Sequence, residues 1–274
     1  MTNTVLITGT SSGIGFSTAG YFADRGWNVV ATQRKPERES ALAHRANVLL
    51  SRLDVADEDS IDEAVAKGIA RFGTIDVLVN NAGYGQMGLF EALNPEQIQQ
   101  QFAVNVFGVM AVTRRLLPIF RRQHCGVIVN VSSGAGLFTL PMISMYCASK
   151  FALEGFSEAL SYELAALGVG VKLVIPHGGV TDTHFVERQS DTMAEKRDLI
   201  DYAPFIEKTR QAFAAMGKAC TISALDVAKV IYQAATDGTP QLRYLIGDDS
   251  RGFIRARREL PEEDYIAFMR TKFQ

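Results

Sequence analysis

Cysteine is scarce in this sequence, which has only Cys125, Cys147 and Cys220 among its 274 residues. Three widely spaced thiols exclude a disulfide framework and a cysteine-based zinc site. We therefore expect no metal, and a reduced, cytoplasmic compartment is the location that fits best.

An excess of charge of one sign is also lacking. The 28 basic residues nearly balance the 30 acidic ones, and the formal net charge is -2. Such a balance presents no broad field to nucleic acid or to an anionic membrane, so we expect neither as a partner. No apolar run approaches the roughly 18 residues of a membrane span, and the first strand begins by about Thr4, which leaves no room for a cleavable signal. Small molecules or further copies of the chain are the expected partners.

The composition that is present is that of an ordinary globular domain. Hydrophobic residues make up 47% of the chain and charged residues 21%, which is enough apolar material for a large core. No shift in composition marks a linker. We expect a single domain over residues 1–274.

Short apolar runs alternate with helical patterns along most of the chain. Strands are predicted at 5–8, 28–32, 48–53, 75–79, 127–132, 171–175 and 242–246. Helices are predicted after the first strand, near 37–45, and at 57–72, 94–122, 143–167, 204–216 and 224–235. This alternation predicts an α/β fold, a doubly wound parallel sheet of about seven strands with helices on both faces. The long connection over about 184–222 is typical of a substrate loop.

Glycines follow the first predicted strand. Gly9, Gly13 and Gly15 lie between that strand and a helical pattern. Glycines at such a turn let the backbone approach a pyrophosphate, which the helix N-terminus then binds. The spacing differs from Gly-x-Gly-x-x-Gly, however, and a glycine turn can also simply end a strand.

A hydroxyl, a phenol and an ammonium lie within one short stretch. Tyr146 and Lys150 are four residues apart and would share a helix face, so the ammonium can lower the phenol pKa from its reference of roughly 10. A shift of about 3 units requires about 4 kcal/mol. One exposed ion pair seldom supplies that much, so a cationic cofactor ring nearby would help. Ser133, at the end of an apolar strand, could hydrogen-bond the same substrate oxygen, although Tyr-x-x-x-Lys alone also describes solvated surface pairs.

In these residues the sequence resembles the short-chain dehydrogenases/reductases of the single-domain, Rossmann-like type. The resemblance covers about residues 3–183. Five patterns of that family occur in the right order: Thr8-Gly9-Thr10-Ser11-Ser12-Gly13-Ile14-Gly15, Asp54-Val55, Asn80-Asn81-Ala82-Gly83, Asn105, and Ser133 with Tyr146 and Lys150.

The resemblance implies a catalytic set of Asn105, Ser133, Tyr146 and Lys150. Tyr146 would protonate a carbonyl oxygen in reduction, or act as the base in oxidation. Lys150 would lower its pKa and hold the nicotinamide ribose. Ser133 rather than Ser132 would polarise the substrate, since the family usually has thirteen residues from serine to tyrosine. Asn105 would interrupt its helix and hold a water that links Lys150 to solvent; alternatively it is a buried asparagine that satisfies helix carbonyls.

The resemblance also implies a nicotinamide cofactor site. Asp54 would accept from the adenine amino group, or else only cap a helix, and Asn81 would contact the adenosine through its backbone. After strand six, His177 is either inserted into the family pattern or replaces its proline. This leaves open whether Thr181 or Thr183 meets the carboxamide and whether His177 touches substrate or is a spacer. The implied cofactor-binding residues are Gly9, Ser11, Ser12, Gly13, Ile14, Gly15, Gln33, Arg34, Asp54, Val55, Asn81, Ala82, Gly83, Tyr146, Lys150, Pro176, Gly178, Gly179, Val180, Thr181 and Thr183.

The end of strand two indicates which nicotinamide is bound. NAD enzymes usually place an acid there, which holds both ribose hydroxyls and repels a 2′-phosphate. This chain has Gln33 followed by Arg34 and Lys35, which predicts NADP(H) over NAD(H), with Arg34 as the better phosphate ligand. The alternative is that both cations are ordinary solvated loop charges.

Apolar side chains predominate in the segments that would form the substrate pocket. They are Met87, Phe90, Leu137, Phe138, Met142, Met145 and Phe185. We expect an enzyme that interconverts a hydrophobic carbonyl of moderate size and its CH–OH alcohol. The competing hypothesis is a non-catalytic NADP(H)-binding redox sensor on the same fold, which would not need the full catalytic set. An epimerase or dehydratase of larger domain is disfavoured by the short region after strand six.

A homodimer or homotetramer is the expected assembly. Phe151, Phe156, Leu160 and Leu164 make the helix after Tyr146 apolar enough to pack on a copy of itself. The same side chains could instead all face the sheet.

Overall fold

A seven-stranded sheet organises the protein, which was studied as a computed structural model. The structure describes residues 2–36, 41–181, 199–218, 222–249 and 251–273, except the side chains of 217 and 218. The strand order is β3-β2-β1-β4-β5-β6-β7, and every neighbouring pair is parallel. The predicted α/β fold class is therefore confirmed.

The strand order reverses between β1 and β4, the place where open parallel sheets bind their ligands. The strands are β1 (Thr4–Ile7), β2 (Asn28–Gln33), β3 (Val48–Arg52), β4 (Val77–Asn80), β5 (Gly126–Val131), β6 (Val169–Pro176) and β7 (Arg243–Ile246). The described helices are α1 (Gly13–Ala23), α2 (Glu58–Phe72), α3 (Pro95–Phe102), α4 (Val109–Gln123), α5 (Ser144–Ala165), α6 (Ala203–Lys218), α7 (Ala224–Thr236), α8 (Phe253–Glu259) and α9 (Glu262–Phe273).

The central strands are buried on both faces, as parallel sheets require. In β1 the alternation of side chains divides the core. Val5 and Ile7 pack into the cluster with helices α1 and α7, while Leu6 packs into the cluster with α2, α4 and α5. All three are 0% exposed, so β1 lies at the centre of the molecule.

The long helical segment from Pro95 begins as its sequence predicts. Asn94 and Gln97 form a reciprocal capping box, and Pro95 occupies the first turn. A π-helical turn, Ala103–Gly108, then separates α3 from α4. Within the described residues this segment, Pro95–Gln123, is long and apolar enough to pass a test for a membrane span, contrary to the expectation of no such run. The same length and composition also describe the core helix of a globular domain. The inward side chains of α4 are buried against the sheet, as in such a helix.

A buried amide network fixes α5 to the sheet. Asn80 on β4 donates to Asn130 on β5 at 2.9 Å, and Asn130 donates to Ser157 on α5 at 2.8 Å. Buried hydrogen bonds of this kind specify one arrangement because any other leaves the amides unsatisfied. They set the position of α5 relative to the end of β5.

One expectation about helices needs correction, and an alternative that the sequence left open is decided. Residues 41–44 form turns instead of part of a helix, with Leu42 packed into the core, while 37–40 lie outside the described residues. Of the four side chains, Leu160 and Leu164 face the sheet, Phe156 packs against the same cluster, and Phe151 is exposed. The apolar face of α5 is thus mainly core, as the alternative to self-association stated.

Candidate active site

The predicted serine, tyrosine and lysine come together at the carboxyl end of β5. Ser133 follows that strand, and Tyr146 and Lys150 lie one turn apart in α5. The Ser133 hydroxyl is hydrogen-bonded to the Tyr146 phenol. The Lys150 ammonium lies 5.8 Å from the centre of the Tyr146 ring and donates to the Val131 carbonyl at 2.9 Å. The hydroxyls of Ser133 and Tyr146 therefore lie together, and the Lys150 ammonium lies near the Tyr146 ring.

Burial governs the acidity of these groups. It raises the pKa of Tyr146 to about 12, opposed by the hydrogen bond with Ser133. Burial also lowers the pKa of Lys150 to about 8, opposed by the charge of Glu154. In the cofactor-free chain burial of the phenol dominates its pKa, and the lowering of that pKa by Lys150 together with a cationic cofactor ring stays a prediction.

Asn105 lies in the π-helical turn, so the predicted interruption of its helix is confirmed. Its amide is fully engaged: Oδ1 accepts from the Tyr84 backbone N–H at 3.1 Å, and Nδ2 donates to the Tyr84 carbonyl and the Ser149 hydroxyl at 2.9 and 3.2 Å. Gln101, four residues earlier, also donates to the Tyr84 carbonyl. Asn105 thus joins the segment after β4 to α5, and its role in a proton path stays a prediction.

The glycine turn after β1 is held against the end of β4. The Thr8 hydroxyl accepts from the backbone N–H groups of Asn81 and Ala82, both at 3.0 Å. The Asn81 side chain donates back to the carbonyls of Thr8 and Gly9. A Cβ on Gly15 would stand 2.2 Å from the Gly9 carbonyl oxygen, so only glycine fits there. The remaining residues of the turn, Ser11, Ser12, Gly13 and Ile14, lead directly into α1.

The adenosine end of the predicted site lies beside β2 and β3. Gln33 ends β2 with 6% of its surface exposed, and its Nε2 has no partner among the described residues. Arg34 is exposed. Asp54 accepts from the backbone N–H of Ala56, and Val55 after it is buried. Since Asp57 is the residue that caps α2, the alternative reading of Asp54 as the helix cap is wrong.

The pairing of β6 with β7 continues for one residue beyond the end of β6. Pro176 ends β6, and the buried His177 still donates its backbone N–H to Ile246 on β7. Gly178 and Gly179 then take positive φ, 86° and 96°. Val180 bridges to Ile222, to which Thr181 also donates its N–H at 2.8 Å. Thr183 lies outside the described residues.

The predicted pocket residues divide between those packed around Tyr146 and those packed elsewhere in the core. Met87 packs with Tyr146, Cys147, Leu140, Ile143 and Ala135 around the phenol. Phe138 instead packs on Phe253 of α8, with ring centres 5.2 Å apart, so the C-terminal tail covers the loop after Ser133. Met142 is buried with φ 59°, a conformation that costs a non-glycine residue energy and is frequent at functional sites. Phe185 lies outside the described residues.

Residues 3–194 match the short chain dehydrogenase family. The chain belongs to that family. An oxidoreductase of Schizosaccharomyces pombe is 37% identical over 241 residues, which are 87% of this chain and 98% of the relative. Human 17-beta-hydroxysteroid dehydrogenase type 1 is 32% identical and covers 97% of this chain and 84% of its own length. Retinol dehydrogenase 8 of Bos taurus is 34% identical, with 88% and 80% covered.

Solved structures of short-chain dehydrogenases agree with the fold. One from Streptomyces avermitilis has a TM-score of 0.83 and 30% identity, covering 99% of this chain and 98% of its own. Another, from Burkholderia phymatum in complex with NAD, has a TM-score of 0.79 and 27% identity, covering 94% and 93%. A serine dehydrogenase in complex with NADP+ has a TM-score of 0.74 and 27% identity, covering 88% and 94%. The protein is an oxidoreductase of this family that binds a nicotinamide cofactor, and the neighbours hold either form of it.

The residues of this chain fit such a cofactor. Gly9 and Gly15 leave the backbone of the turn bare at the start of α1, where anions bind. The unpartnered amide nitrogen of the buried Gln33 is available to a ribose at the end of β2. Bound there, the cofactor would contribute hydride transfer.

Several residues of the site were not found from the sequence as contributors. Thr8, Tyr84, Gln101 and Ser149 hold the loops around the catalytic set by hydrogen bonds. The four-residue spacing of Gln101 and Asn105 was the one signal available, because it places both side chains on one helix face.

Proposed function

We propose that the protein is an NADP(H)-dependent oxidoreductase that interconverts a hydrophobic ketone or aldehyde and its alcohol. The observation that carries this proposal is the hydrogen bond between Ser133 and Tyr146, with Lys150 one turn along the same helix. A carbonyl oxygen that replaces this mutual contact meets two hydroxyl donors at once, which is how preorganised donors stabilise developing negative charge.

The chain's own residues would control the proton. Ser133 orients the substrate oxygen, and Tyr146 gives it a proton as negative charge develops. With its pKa raised by burial, Tyr146 is fully protonated at neutral pH, which suits reduction. In oxidation the phenol must first lose its proton, which requires positive charge close to it. Lys150, whose ammonium donates to the Val131 carbonyl, would supply that charge when protonated and would contact the nicotinamide ribose.

The NADP(H) preference rests on the end of β2. Arg34 is exposed immediately after the buried Gln33, and neither residue carries the negative charge that would repel a 2′-phosphate. A guanidinium in this position can pair with the phosphate through two parallel hydrogen bonds.

An apolar substrate fits the environment of the phenol. Tyr146 lies in a cluster with Met87, Leu140 and Ile143, none of which offers a charged group to a substrate. Retinol dehydrogenase 8 and 17-beta-hydroxysteroid dehydrogenase type 1, which resemble this chain along most of its length, are named for apolar alcohols. We propose a substrate of that general character and moderate size.

The full chain is proposed to act as one domain, with residues around 184–222 contributing to the substrate site, in the cytoplasm and as a homo-oligomer. Family members usually assemble, and a size-exclusion measurement with light scattering gives the state. A mass equal to 30.0 kDa would contradict the assembly.

A spectrophotometric panel tests the activity. Purified protein is mixed with NADPH and with NADH and a series of aldehydes, ketones and quinones of increasing apolar size, and the loss of reduced-nicotinamide absorbance is followed. We expect turnover with NADPH, and we expect kcat/KM to be larger for the more apolar carbonyls of the series than for the less apolar ones. Tight NADPH binding without turnover of any carbonyl, and without oxidation of matching alcohols by NADP+, would contradict the enzyme and favour the redox sensor.

A further inference from the structure

One helical turn beyond Lys150 lies a carboxylate that the proposed reaction does not use. Glu154 is 6% exposed. Glutamate is seldom buried so deeply unless it is paired, because removal of a carboxylate from water is costly. Its Oε2 accepts from Arg243 Nε at 2.9 Å, while Oε1 is buried with no hydrogen-bond partner among the described residues. The carboxylate is therefore only half satisfied.

The side chain of Glu154 packs against the turn that follows Ser133. Residues four apart share a helix face, so Glu154 and Lys150 lie on the same face of α5, one turn apart. Gly136, in the turn after Ser133, makes room for both of them. A Cβ at residue 136 would stand 3.1 Å from Glu154 Cγ and 3.1 Å from the Lys150 carbonyl oxygen. The unpartnered hydroxyl of Ser132 is equally close to that point.

Arg243 of β7 holds the carboxylate from the other side. Its Nη2 also donates to Glu158 at 2.5 Å, so the guanidinium bridges two successive turns of α5 to the last strand of the sheet. Two contacts fix the orientation of Arg243, and Arg243 in turn fixes that of Glu154. The carboxylate is thereby kept one turn from Lys150 instead of turning to solvent.

We propose that Glu154 is a positioning residue for Lys150: its buried carboxylate, held by Arg243, keeps the lysine in the charged form that the site requires. Its consequence for catalysis rests on the proposed function, whereas its effect on Lys150 can be measured without any reaction.

The electrostatics of the buried helix face agree with this role. Burial lowers the pKa of Lys150 to about 8, and the charge of Glu154 is what opposes the fall. Among the described residues, the other titratable groups near the pair are Tyr146 and Glu158 on α5 and Arg243 on β7. From β5 and the residue after it, the Val131 carbonyl and the Ser132 hydroxyl approach, and neither carries a charge. Without Glu154, the described groups around the Lys150 amine would be neutral at neutral pH, apart from Glu158 and the Arg243 guanidinium.

A titration of the cofactor-free protein tests the proposal directly. The side-chain carbon and nitrogen resonances of lysine are followed by NMR from pH 6 to 11, and Lys150 is assigned with Lys150→Arg. In Glu154→Gln, which keeps the size and an acceptor for Arg243, we expect the Lys150 midpoint to fall by about one pH unit, a tenfold loss of proton affinity. Glu154→Asp should restore it. Glu158→Gln, which removes the more exposed acid from the same arginine, is the matched control and should leave it nearly unchanged.

The direction of the shift separates this role from simple loosening. If Glu154→Gln only admitted water to the helix face, the Lys150 midpoint would rise toward its ordinary value. A rise or no change in that variant would overturn the proposal. Glu154→Asp provides a second reading that does not depend on Glu154→Gln folding. It keeps the negative charge, so a Lys150 midpoint as low as the one expected for Glu154→Gln would contradict the proposal.

Activity gives an independent arm. The dependence of kcat on pH is measured for carbonyl reduction by the wild-type enzyme and by both variants. Relative to wild type, the alkaline limb should move to lower pH in Glu154→Gln and stay in place in Glu158→Gln. If wild-type protein reduces no carbonyl, the proposed function fails while the NMR titration still decides the role of Glu154. If turnover is normal but Glu154→Gln leaves both the titration and the pH limb unmoved, the positioning role fails alone.

Discussion

The two sides of the site are built by different means. On the cofactor side, the ends of β1 and β4 are joined by directional hydrogen bonds from Thr8 and Asn81, and glycines allow backbone to touch backbone. On the substrate side, the loop after Ser133 is held mainly by apolar packing, as where Phe138 meets Phe253 of α8. Hydrogen bonds demand one geometry, whereas apolar contacts tolerate changes of shape at similar volume.

This difference explains how one family can bind a constant cofactor and many substrates. The proposed cofactor side would bind the same pyrophosphate and ribose each time, so its backbone positions must be fixed. The substrate side can change residue by residue without disturbing the sheet. Substitutions on the cofactor side should therefore cause large losses of stability or cofactor affinity. Substitutions on the substrate side should cause smaller, graded changes.

The largest effect is expected where the two sides meet. Tyr146→Phe removes the proposed proton donor and should lower kcat by roughly 100- to 10,000-fold. The affinity for NADPH, measured by fluorescence titration, should stay within a few-fold of wild type. Tyr162→Phe, in the same helix but 70% exposed, is the control and should retain full activity. A Tyr146→Phe enzyme of normal rate would remove the basis of the proposed mechanism.

A substitution on the cofactor side should act almost as strongly. Gly15→Ala places a Cβ 2.2 Å from the Gly9 carbonyl oxygen and 2.4 Å from Asn81 Nδ2, so the turn must open. We expect the free energy of unfolding to fall by about 1–3 kcal/mol or more, and NADPH affinity to fall at least about tenfold. Urea denaturation and calorimetric titration measure these changes.

Gly20→Ala is the control for Gly15→Ala, five residues along the same helix. A Cβ at Gly20 would have nothing within 4 Å. Alanine there should be neutral or stabilise α1 by up to about 1 kcal/mol. Equal changes in the free energy of unfolding and in NADPH affinity for the two variants would contradict the idea that the cofactor side tolerates only one geometry.

Lys150 allows function and stability to be separated. Its pKa falls from 10.5 in the unfolded chain to about 8 in the folded one, so below pH 8 burial of the charge opposes folding by about 3 kcal/mol. This penalty disappears as the pH rises from about 8 to 10.5, because the unfolded chain then binds the extra proton. Lys150→Met should thus abolish most activity yet raise the free energy of unfolding at pH 7 by about 1–3 kcal/mol.

Urea denaturation at a series of pH values checks the Lys150 prediction. The advantage of Lys150→Met over wild type should shrink steadily between pH 8 and 10. An advantage that does not change with pH would show that packing, and not the buried charge, is its origin.

Cofactor choice should respond to one exposed cation. Arg34→Ala should weaken NADPH binding by about 1.5–3 kcal/mol, roughly 10- to 100-fold, because it loses a charged hydrogen bond to the 2′-phosphate. NADH binding should hardly change. Lys35→Ala is the neighbouring control, with a smaller loss expected. Equal affinities of wild type for NADPH and NADH would count against the preference itself.

The smallest effect is expected on the substrate side. Phe90 is 61% exposed beside the predicted pocket. Phe90→Ala should leave the free energy of unfolding within about 0.5 kcal/mol and raise KM for apolar carbonyls by a few-fold. Phe138→Ala, which removes a buried ring from the same side, should instead destabilise by about 3–5 kcal/mol. Calorimetry and steady-state kinetics distinguish the two.

Local patterns predicted much of this molecule. The alternation of apolar runs and helical periods placed all seven strands, because parallel strands buried on both faces read as continuous apolar segments. Asn94, Pro95 and the acidic first turn marked the start of α3 within one residue, since capping is a local property. The helix near 37–45 was the failure: Leu42 is held in the core by tertiary contacts, and residues 41–44 turn.

The catalytic set was predicted from its order along the chain, but its acidities were not. Spacing showed that Lys150 must lie near Tyr146, whereas the balance between that charge and desolvation depends on how deeply both are buried. The same holds for the face of α5: a period of apolar residues cannot say whether the partner is the sheet or a second subunit.

The sequence by itself determined the order of strands and helices along the chain, the glycine turn and the spacing of the tyrosine and lysine that are proposed to react, because each depends on neighbours within a few residues. Only the tertiary structure decided that Asn105 and Gln101 grip the segment at Tyr84, that α8 covers Phe138, and that Glu154 lies buried between Lys150 and Arg243. These contacts join residues up to 115 positions apart, as Phe138 and Phe253 are, and their energies depend on water excluded by the whole fold.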